Sequence, residues 1–252
     1  MSLFNVGTLQ NDQSILTYRA GAGQIVHVPV TVGFIEMQDG EHILFDTGML
    51  PREREGQGGA SAKPYHNSIV RQTAEDDLRH RLAELGRTPE DVKIVVNSHF
   101  HWDHSGGNGL FPHARFYAQA AEHRFACSPD PFVGRLYSRP YFECGVAYEF
   151  LKGDTVIKPG VATLATPGHT PGHQSLIVRL PSGRSMIFTG DSMLCPANLD
   201  PAVPPGNAHN FEDAIASIQR LKMLSEFLDG DLVICHDPDF WRTWKPAPHQ
   251  YR

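Results

Sequence analysis

Residues 99–106 read HFHWDHSG, and they follow directly on DVKIVVNS at 91–98. That preceding run has the length and β-branched content of a buried strand. The chain must therefore end a strand on three histidines and an aspartate, then turn at once through Gly106 and Gly107. Histidine is a mediocre former of both helix and strand. Clustered His and Asp are costly to bury unless something binds them. In an extended or loop backbone His99 and His101 point the same way. Asp103 and His104 follow on the tight turn. Two metal ions can divide these ligands, one taking His99 and His101, the other Asp103 and His104.

Three more polar clusters follow strand-like runs. In TPGHTPGH at 166–173, Pro167 and Gly168 bracket His169 in a rigid turn after VATLAT. His173 reads as a structural or supporting residue, since metal-bound His needs a hydrogen-bonded partner. In FTGDS at 188–192, Asp191 ends an apolar run, where a carboxylate can bridge two cations. In VICHDPD at 233–239, His236 ends the last strand-like run. His99, His101, Asp103, His104, His169, Asp191 and His236 together suit borderline divalent metals such as Zn²⁺, and can also hold Mn²⁺, Fe or Co²⁺. Cys235 should face the other way on its strand and pack in the core.

The rest of the chain narrows the function. Its 252 residues suit one large domain, read here as 1–252, and 40% hydrophobic content supports a substantial core. A net charge of -6 with no long basic run excludes a nucleic-acid surface. The N-terminal MSLFNVGTLQNDQS has no basic region followed by an apolar run, and no segment has the length of a membrane span. The 4 cysteines show no CxxC pairing. A cytoplasmic protein with reduced thiols is expected.

Strand-like runs alternate with helical ones. QIVHVPVTVGFIEM (24–37), HILFD (42–46), ARFYAQ (114–119), AYEFL, GVATLAT, QSLIVRL, SMIFTG and DLVIC (231–235) read as strands. Ala74, Leu78, Leu82 and Leu85 predict one helix closed by Gly86. Further helices are expected over about 120–127 and 211–228, the second capped by Asn210. The stretches 49–70 and 128–146 read as long functional loops. Sheets packed together and covered by helices follow from this order.

In sequence order, ILFDTG, NSHFHWDHSGGN, TPGHTPGHQSL, FTGD and CHDPD resemble the metallo-β-lactamase superfamily across nearly the whole chain. The resemblance implies an α+β fold, a four-layer αββα sandwich with two metals at one edge. It assigns His99, His101 and His169 to one metal, Asp103, His104 and His236 to the other, and Asp191 to both. Within the superfamily, NSHFHWDHSGGNGLFPHA, TPGHTPGHQSLIVRLP and HDPDFWRTWKPAPHQY are similar to the quorum-quenching N-acyl-homoserine lactonases. A lactone-opening hydrolase is therefore expected, acting through a metal-bridging hydroxide, with Asp103 and Asp191 as catalytic residues. Asp191 would also pass a proton to the leaving oxygen.

One position departs from that group. Those lactonases carry a tyrosine three residues after the bridging aspartate, and here Leu194 stands there. Leucine donates no hydrogen bond, a loss of about 2.7–4 kcal/mol by analogy with oxyanion donors. Tyr65, Tyr137, Tyr141 or a water would take over the contact, or the substrate differs. Met49, Leu50, Trp102, Phe132 and Leu194 are the expected lining for an acyl chain. The resemblance allows a homodimer formed through the loop at 49–70. The alternative is a metallo-hydrolase of another small lactone, ester or thioester, similar to glyoxalase II, which usually needs a more basic site than this chain offers. A non-catalytic binding protein is disfavoured because every ligand position is intact.

Overall fold

Val28, Val30, Val32 and Phe34 alternate along one strand with Thr31, Gly33 and Ile35, and the two sets are buried on opposite faces. A strand covered on both faces belongs inside a layered structure. The computed structural model describes residues 1–50, 69–199 and 201–252. Tyr65 and most of the expected loop at 49–70 lie outside these residues.

The first sheet has seven strands: β1 (Ser2–Asp12), β2 (Ile25–Glu36), β3 (His42–Phe45), β4 (Ile69–Arg71), β5 (Val92–Val96), β6 (Arg115–Gln119) and β7 (Ala147–Leu151). Their order is β4-β1-β2-β3-β5-β6-β7. β3, β5, β6 and β7 are parallel, so their C-terminal ends share one edge. The second sheet holds β8 (Thr155–Lys158), β9 (Val161–Ala165), β10 (Gln174–Arg179), β11 (Ser185–Phe188) and β12 (Gly230–Val233), in the order β12-β11-β10-β9-β8. β10 is antiparallel to β9 and β11, and β12 is parallel to β11. Thus β9, β11 and β12 also end together.

Helices complete the layers: α1 (Gln13–Leu16), α2 (Leu78–Ala83), α3 (Trp102–Ser105), α4 (Ala120–Cys127), α5 (Arg139–Phe142), α6 (Phe211–Phe227) and α7 (Phe240–Thr243). Among the described residues, no helix is long and apolar enough to cross a membrane.

Three apolar clusters separate the layers. Ile35, Ile43, Phe45 and Ile94 of the first sheet meet Leu176, Val178, Met186 and Phe188 of the second. On the outer face of the first sheet, Phe4, Val32, Phe34 and Val95 pack with Leu78 and Leu82 of α2. On the second sheet, Leu164 and Ile187 pack with Ile218 and Leu221 of α6. Each fully buried Leu, Ile or Phe contributes roughly 1.5–3 kcal/mol. Gly33 marks how closely the sheets approach, since a Cβ there would lie 2.7 Å from the Phe188 ring.

The sandwich agrees with the sequence expectation, with local differences. The single helix predicted around 74–85 is divided. Asp76 accepts the Thr73 amide and hydroxyl, closing a 3-10 turn over Ala74–Asp76, and Asp77 then caps α2 by accepting the Arg79 amide. β1, β4 and β8 add strands that the sequence patterns did not predict, β4 beginning within the expected loop at 49–70, and the stretch 128–146 includes α5. α6 begins as expected, with Asn210 Oδ1 accepting the Asp213 amide at 3.1 Å.

The two sheets are tied at the edge where these strands end. Gln174 donates its amide to Ser98 O (2.9 Å) and its Nε2 to Asn97 O (2.8 Å), while Gln119 Nε2 donates to Gln174 Oε1 (2.9 Å). The polar clusters of the sequence all open onto this edge.

Candidate metal centre

β5 runs straight into the His-rich turn. His99, His101 and His104 are buried, and α3 begins immediately after His101. The glycines after α3 permit a close backbone approach. A Cβ on Gly106 would lie 2.6 Å from Leu50 N, and one on Gly107 would lie 2.5 Å from Thr47 O. Thr47 in turn donates its amide and hydroxyl to His104 O, at 2.9 and 3.1 Å.

Two groups of donor atoms converge. His101 Nδ1 lies 2.9 Å from His99 Nε2 and 3.0 Å from His169 Nε2. His104 Nε2 lies 3.2 Å from His236 Nε2, and Asp103 Oδ2 lies 3.7 Å from each of these. Asp191 stands between the groups. Its Oδ1 faces His104 and His236 (3.2 and 3.3 Å), and its Oδ2 faces His169 (3.2 Å) and His99 (4.0 Å). The metal-ligating residue types of each group lie within 4.8 Å of one another.

Hydrogen bonds set which nitrogen of each ring faces inward. His104 Nδ1 lies 2.8 Å from Asp46 Oδ2, and the carboxylate can only accept, so His104 carries its proton on Nδ1. Ser98 donates its hydroxyl to Asp46 (2.8 Å) and so accepts from His99 Nδ1 (2.9 Å). Asp46 also accepts the Ser98 amide at 2.6 Å. His236 Nδ1 donates to Pro29 O at 2.7 Å. In the neutral form of each ring, the inward Nε2 atoms of His99, His104 and His236 therefore present lone pairs. Asp46 governs one ring in each group, from a backbone at φ 63, a left-handed conformation that Asp and Asn tolerate better than most residues.

His173 holds the backbone at Asp191. It accepts the Asp191 amide on Nε2 (2.9 Å) and donates from Nδ1 to Thr166 O (3.1 Å). Burial, with the His169 ring beside it, lowers its pKa to about 3, which keeps that acceptor available.

The electrostatics suit divalent cations. Burial, reinforced by neighbouring rings, holds His99 and His101 well below the ordinary histidine range, so both are neutral donors. Burial also acts on His104, but Asp191, Asp103 and Asp46 outweigh it and raise its pKa; Asp191 does the same at His236. That negative field favours positive charge at this point. Asp191 is buried, yet His104, His236 and His169 hold its pKa well below the usual carboxylate value. Asp191 Oδ1 and His169 Nδ1 are buried without a hydrogen-bond partner. Clustered lone pairs, an ionised carboxylate between them and an orphaned buried oxygen fit a two-cation centre.

Sequence reasoning missed Asp46, read only as the end of the strand-like run HILFD, and also Glu122. The Glu122 carboxylate is fully buried. It accepts the Phe100 amide (3.0 Å) and the Tyr137 hydroxyl (3.4 Å) on Oε1, and the Thr170 hydroxyl (2.6 Å) on Oε2. It thereby joins the turn carrying His99 and His101 to the turn carrying His169. Burial raises its pKa, opposed by hydrogen bonds from Thr170 and from the Phe100 and Gly172 amides. Gly172 permits the arrangement, because a Cβ there would lie 2.0 Å from Glu122 N. Gly172→Ala should therefore cost about 1–3 kcal/mol by overpacking. An unchanged urea midpoint would refute this.

The expected lining residues divide. Met49 and Leu194 are buried in the core cluster, and Trp102, partly buried, packs against that same cluster. Leu50 is half-buried. Phe132 is 67% exposed and stacks on His209, whose amide donates to His169 O. Of the tyrosines considered in place of Leu194, Tyr137 has its hydroxyl on Glu122 and its ring against His101, and Tyr141 is buried.

Residues 26–236 match the model of the metallo-beta-lactamase superfamily. This chain belongs to that superfamily. Among superfamily relatives, it is 33% identical to the N-acyl homoserine lactonase AttM of Rhizobium radiobacter, over 97% of this chain and 95% of the relative. It is 31% identical to the N-acyl homoserine lactonase AiiA of Bacillus thuringiensis subsp. kurstaki, over 86% of this chain and 84% of that protein. Among solved superfamily structures, it is similar to an N-acyl homoserine lactone hydrolase with the product N-hexanoyl-L-homoserine bound at its catalytic metal centre. The TM-score is 0.87 at 28% identity, covering 98% of this chain and 97% of that one.

Proposed function

We propose that this chain is a metal-dependent hydrolase that opens the ring of N-acyl homoserine lactones. The observation that carries this reading is Asp191, which turns one oxygen to each of two imidazole groups. The likeness to named lactonases over nearly the full chain supplies the substrate class. His99, His101 and His169 would hold one cation, Asp103, His104 and His236 the other, and Asp191 both. Zinc suits this nitrogen and oxygen donor set.

When bound, such cations supply a nucleophile from water at neutral pH and polarise the lactone carbonyl. The chain's own groups do the rest. The Nδ1 partners of His99, His104 and His236 keep their lone pairs directed inward. His173 fixes Asp191 through its amide. Asp191, ionised at rest, is placed to take the proton released by the attacking water and pass it to the ring oxygen as the carbonyl C–O bond breaks. Asp103 is the partly exposed member of its group. Trp102, packed on the cluster that holds Met49 and Leu194, begins an apolar wall for the acyl chain, with Leu50 and Phe132 further out.

Ring opening yields a hydroxy acid that ionises, so each turnover releases one proton. Metal-loaded protein should acidify a weakly buffered solution of short- and long-chain homoserine lactones. Chelation should abolish the signal, and added Zn²⁺, Co²⁺ or Mn²⁺ should restore it. Turnover that survives thorough chelation would eliminate the metal-dependent reading. Leu194, which lacks a donor, favours one second outcome. Silence on homoserine lactones with turnover of another lactone, ester or thioester would keep the hydrolase and change its substrate. Trp102→Ala should raise KM several-fold more for long acyl chains than for short ones. Equal effects on both would remove Trp102 from the acyl wall.

A further inference from the structure

Away from the His/Asp centre, α4 and the segment after α5 bring another set of donor atoms together. His123 and Cys127 are four residues apart on α4, so they lie on one face of the helix. His123 Nε2 is 3.7 Å from Cys127 Sγ, and Cys127 Sγ is 3.8 Å from Glu143 Oε1. All three ligand atoms lie within 4.8 Å of one another. A tetrahedral zinc with ordinary Zn–S and Zn–N bonds spaces its sulfur and nitrogen about 3.6 Å apart, and its sulfur and carboxylate oxygen about the same. The observed separations meet both values within a few tenths of an ångström.

The imidazole is held in place for this. Its ring lies 4.5 Å from Phe150, with Phe100 and Phe142 each edge-on at 6.4 Å. The Cys127 thiol donates to Glu143. A cation must displace that proton to solvent as the metal–sulfur bond forms, and this selects a thiophilic metal over Mg²⁺ or Ca²⁺. Arg139 is the competitor, with its guanidinium on both Glu143 oxygens at 2.8 and 2.7 Å. That pair is exposed and screened by solvent, so a cation that also binds Sγ and Nε2 can compete with it for Glu143.

We propose that His123, Cys127 and Glu143 form a third cation site, separate from the His/Asp centre, for a thiophilic divalent metal such as Zn²⁺ or Cd²⁺, with solvent completing the coordination. The site does not depend on the lactonase reading. Its position does connect it to the catalytic edge. His123 adjoins Glu122, and Phe142, next to Glu143, stacks on Phe100 at 4.9 Å and 4°. A cation here would brace the packing beneath the turn that carries His99 and His101.

The test is a titration of the full-length protein with Co²⁺, followed in the near ultraviolet. Sulfur-to-cobalt charge transfer reports thiolate ligation, and the His/Asp centre offers only nitrogen and oxygen. With the His/Asp centre already loaded with Zn²⁺, the expected result is a charge-transfer band that saturates at one equivalent of added cobalt. It should vanish in Cys127→Ser, need at least tenfold more cobalt in His123→Ala, and remain in Cys144→Ser. Circular dichroism would confirm that each variant is folded. Absence of the band in the wild-type chain would overturn the site, as would its survival in Cys127→Ser or its loss in Cys144→Ser. A band equally strong in both His123→Ala and Glu143→Gln would show a lone thiolate, and would also overturn it.

Discussion

Asp191→Asn is expected to lower kcat/KM for homoserine lactones at least a thousandfold, about 4 kcal/mol of transition-state stabilisation. The substitution keeps the shape of the side chain and removes its charge. One oxygen remains, so only one of the two proposed cations keeps an oxygen ligand from this side chain, and the other would meet an N–H₂ group. The amide also cannot take up the proton of the attacking water and relay it to the leaving oxygen. Bound metal should fall below two per chain, read by elemental analysis beside the proton-release assay. Retention of both metals together with wild-type turnover would remove Asp191 from the centre. A protein that only binds its ligand would keep its affinity in this variant while showing no turnover in either form.

Asp46→Asn should fail differently. The backbone at φ 63 accommodates Asn as readily as Asp, so the chain should fold. The new amide cannot accept from His104 Nδ1, Ser98 Oγ and the Ser98 amide together, as the carboxylate does. Where its N–H₂ group faces His104, the ring proton is driven to Nε2 and blocks the inward lone pair. Loss of an orienting partner of this kind typically costs 10–100-fold in metal affinity, and here one residue serves a ring in each group. Competition against a chromogenic chelator should show that loss, and excess metal should restore most of the turnover. Excess metal should not rescue Asp191→Asn. Wild-type metal affinity in Asp46→Asn would show that Ser98 and the surrounding packing orient the rings unaided.

Some of this architecture is legible in the chain and some is not, for physical reasons. His99 to His104 are readable because one short turn carries them, and its spacing survives in the sequence. The partners that orient them come from distant segments. Asp46 follows β3, and Glu122 sits in the first turn of α4, where an acidic residue reads as ordinary helix-end charge. β1 escapes a period-two search because much of it is covered on both faces, so buried Ser2 and Asn11 lie in it without marking a solvent side. Of the helix stripe at Ala74–Leu85, Leu78, Leu82 and Leu85 pack inward while Ala74 is exposed, and the acceptors Asp76 and Asp77 divide the stretch between two short elements. Leu194 reads as an exposed pocket wall by position, whereas its side chain belongs to the core cluster.

Each proposed metal group draws residues from both sheets. His99 and His101 leave β5 and His169 leaves β9; Asp103 and His104 continue the first turn and His236 leaves β12. The residues that meet are far apart along the chain, 68 positions between His101 and His169 and 132 between His104 and His236. Cross-links over such spans remove conformational freedom from the unfolded chain, and the entropy removed grows slowly with loop length. Cations held there would act as long-range staples in a protein with no disulfide. Their loss would enlarge the unfolded ensemble as well as silence the chemistry.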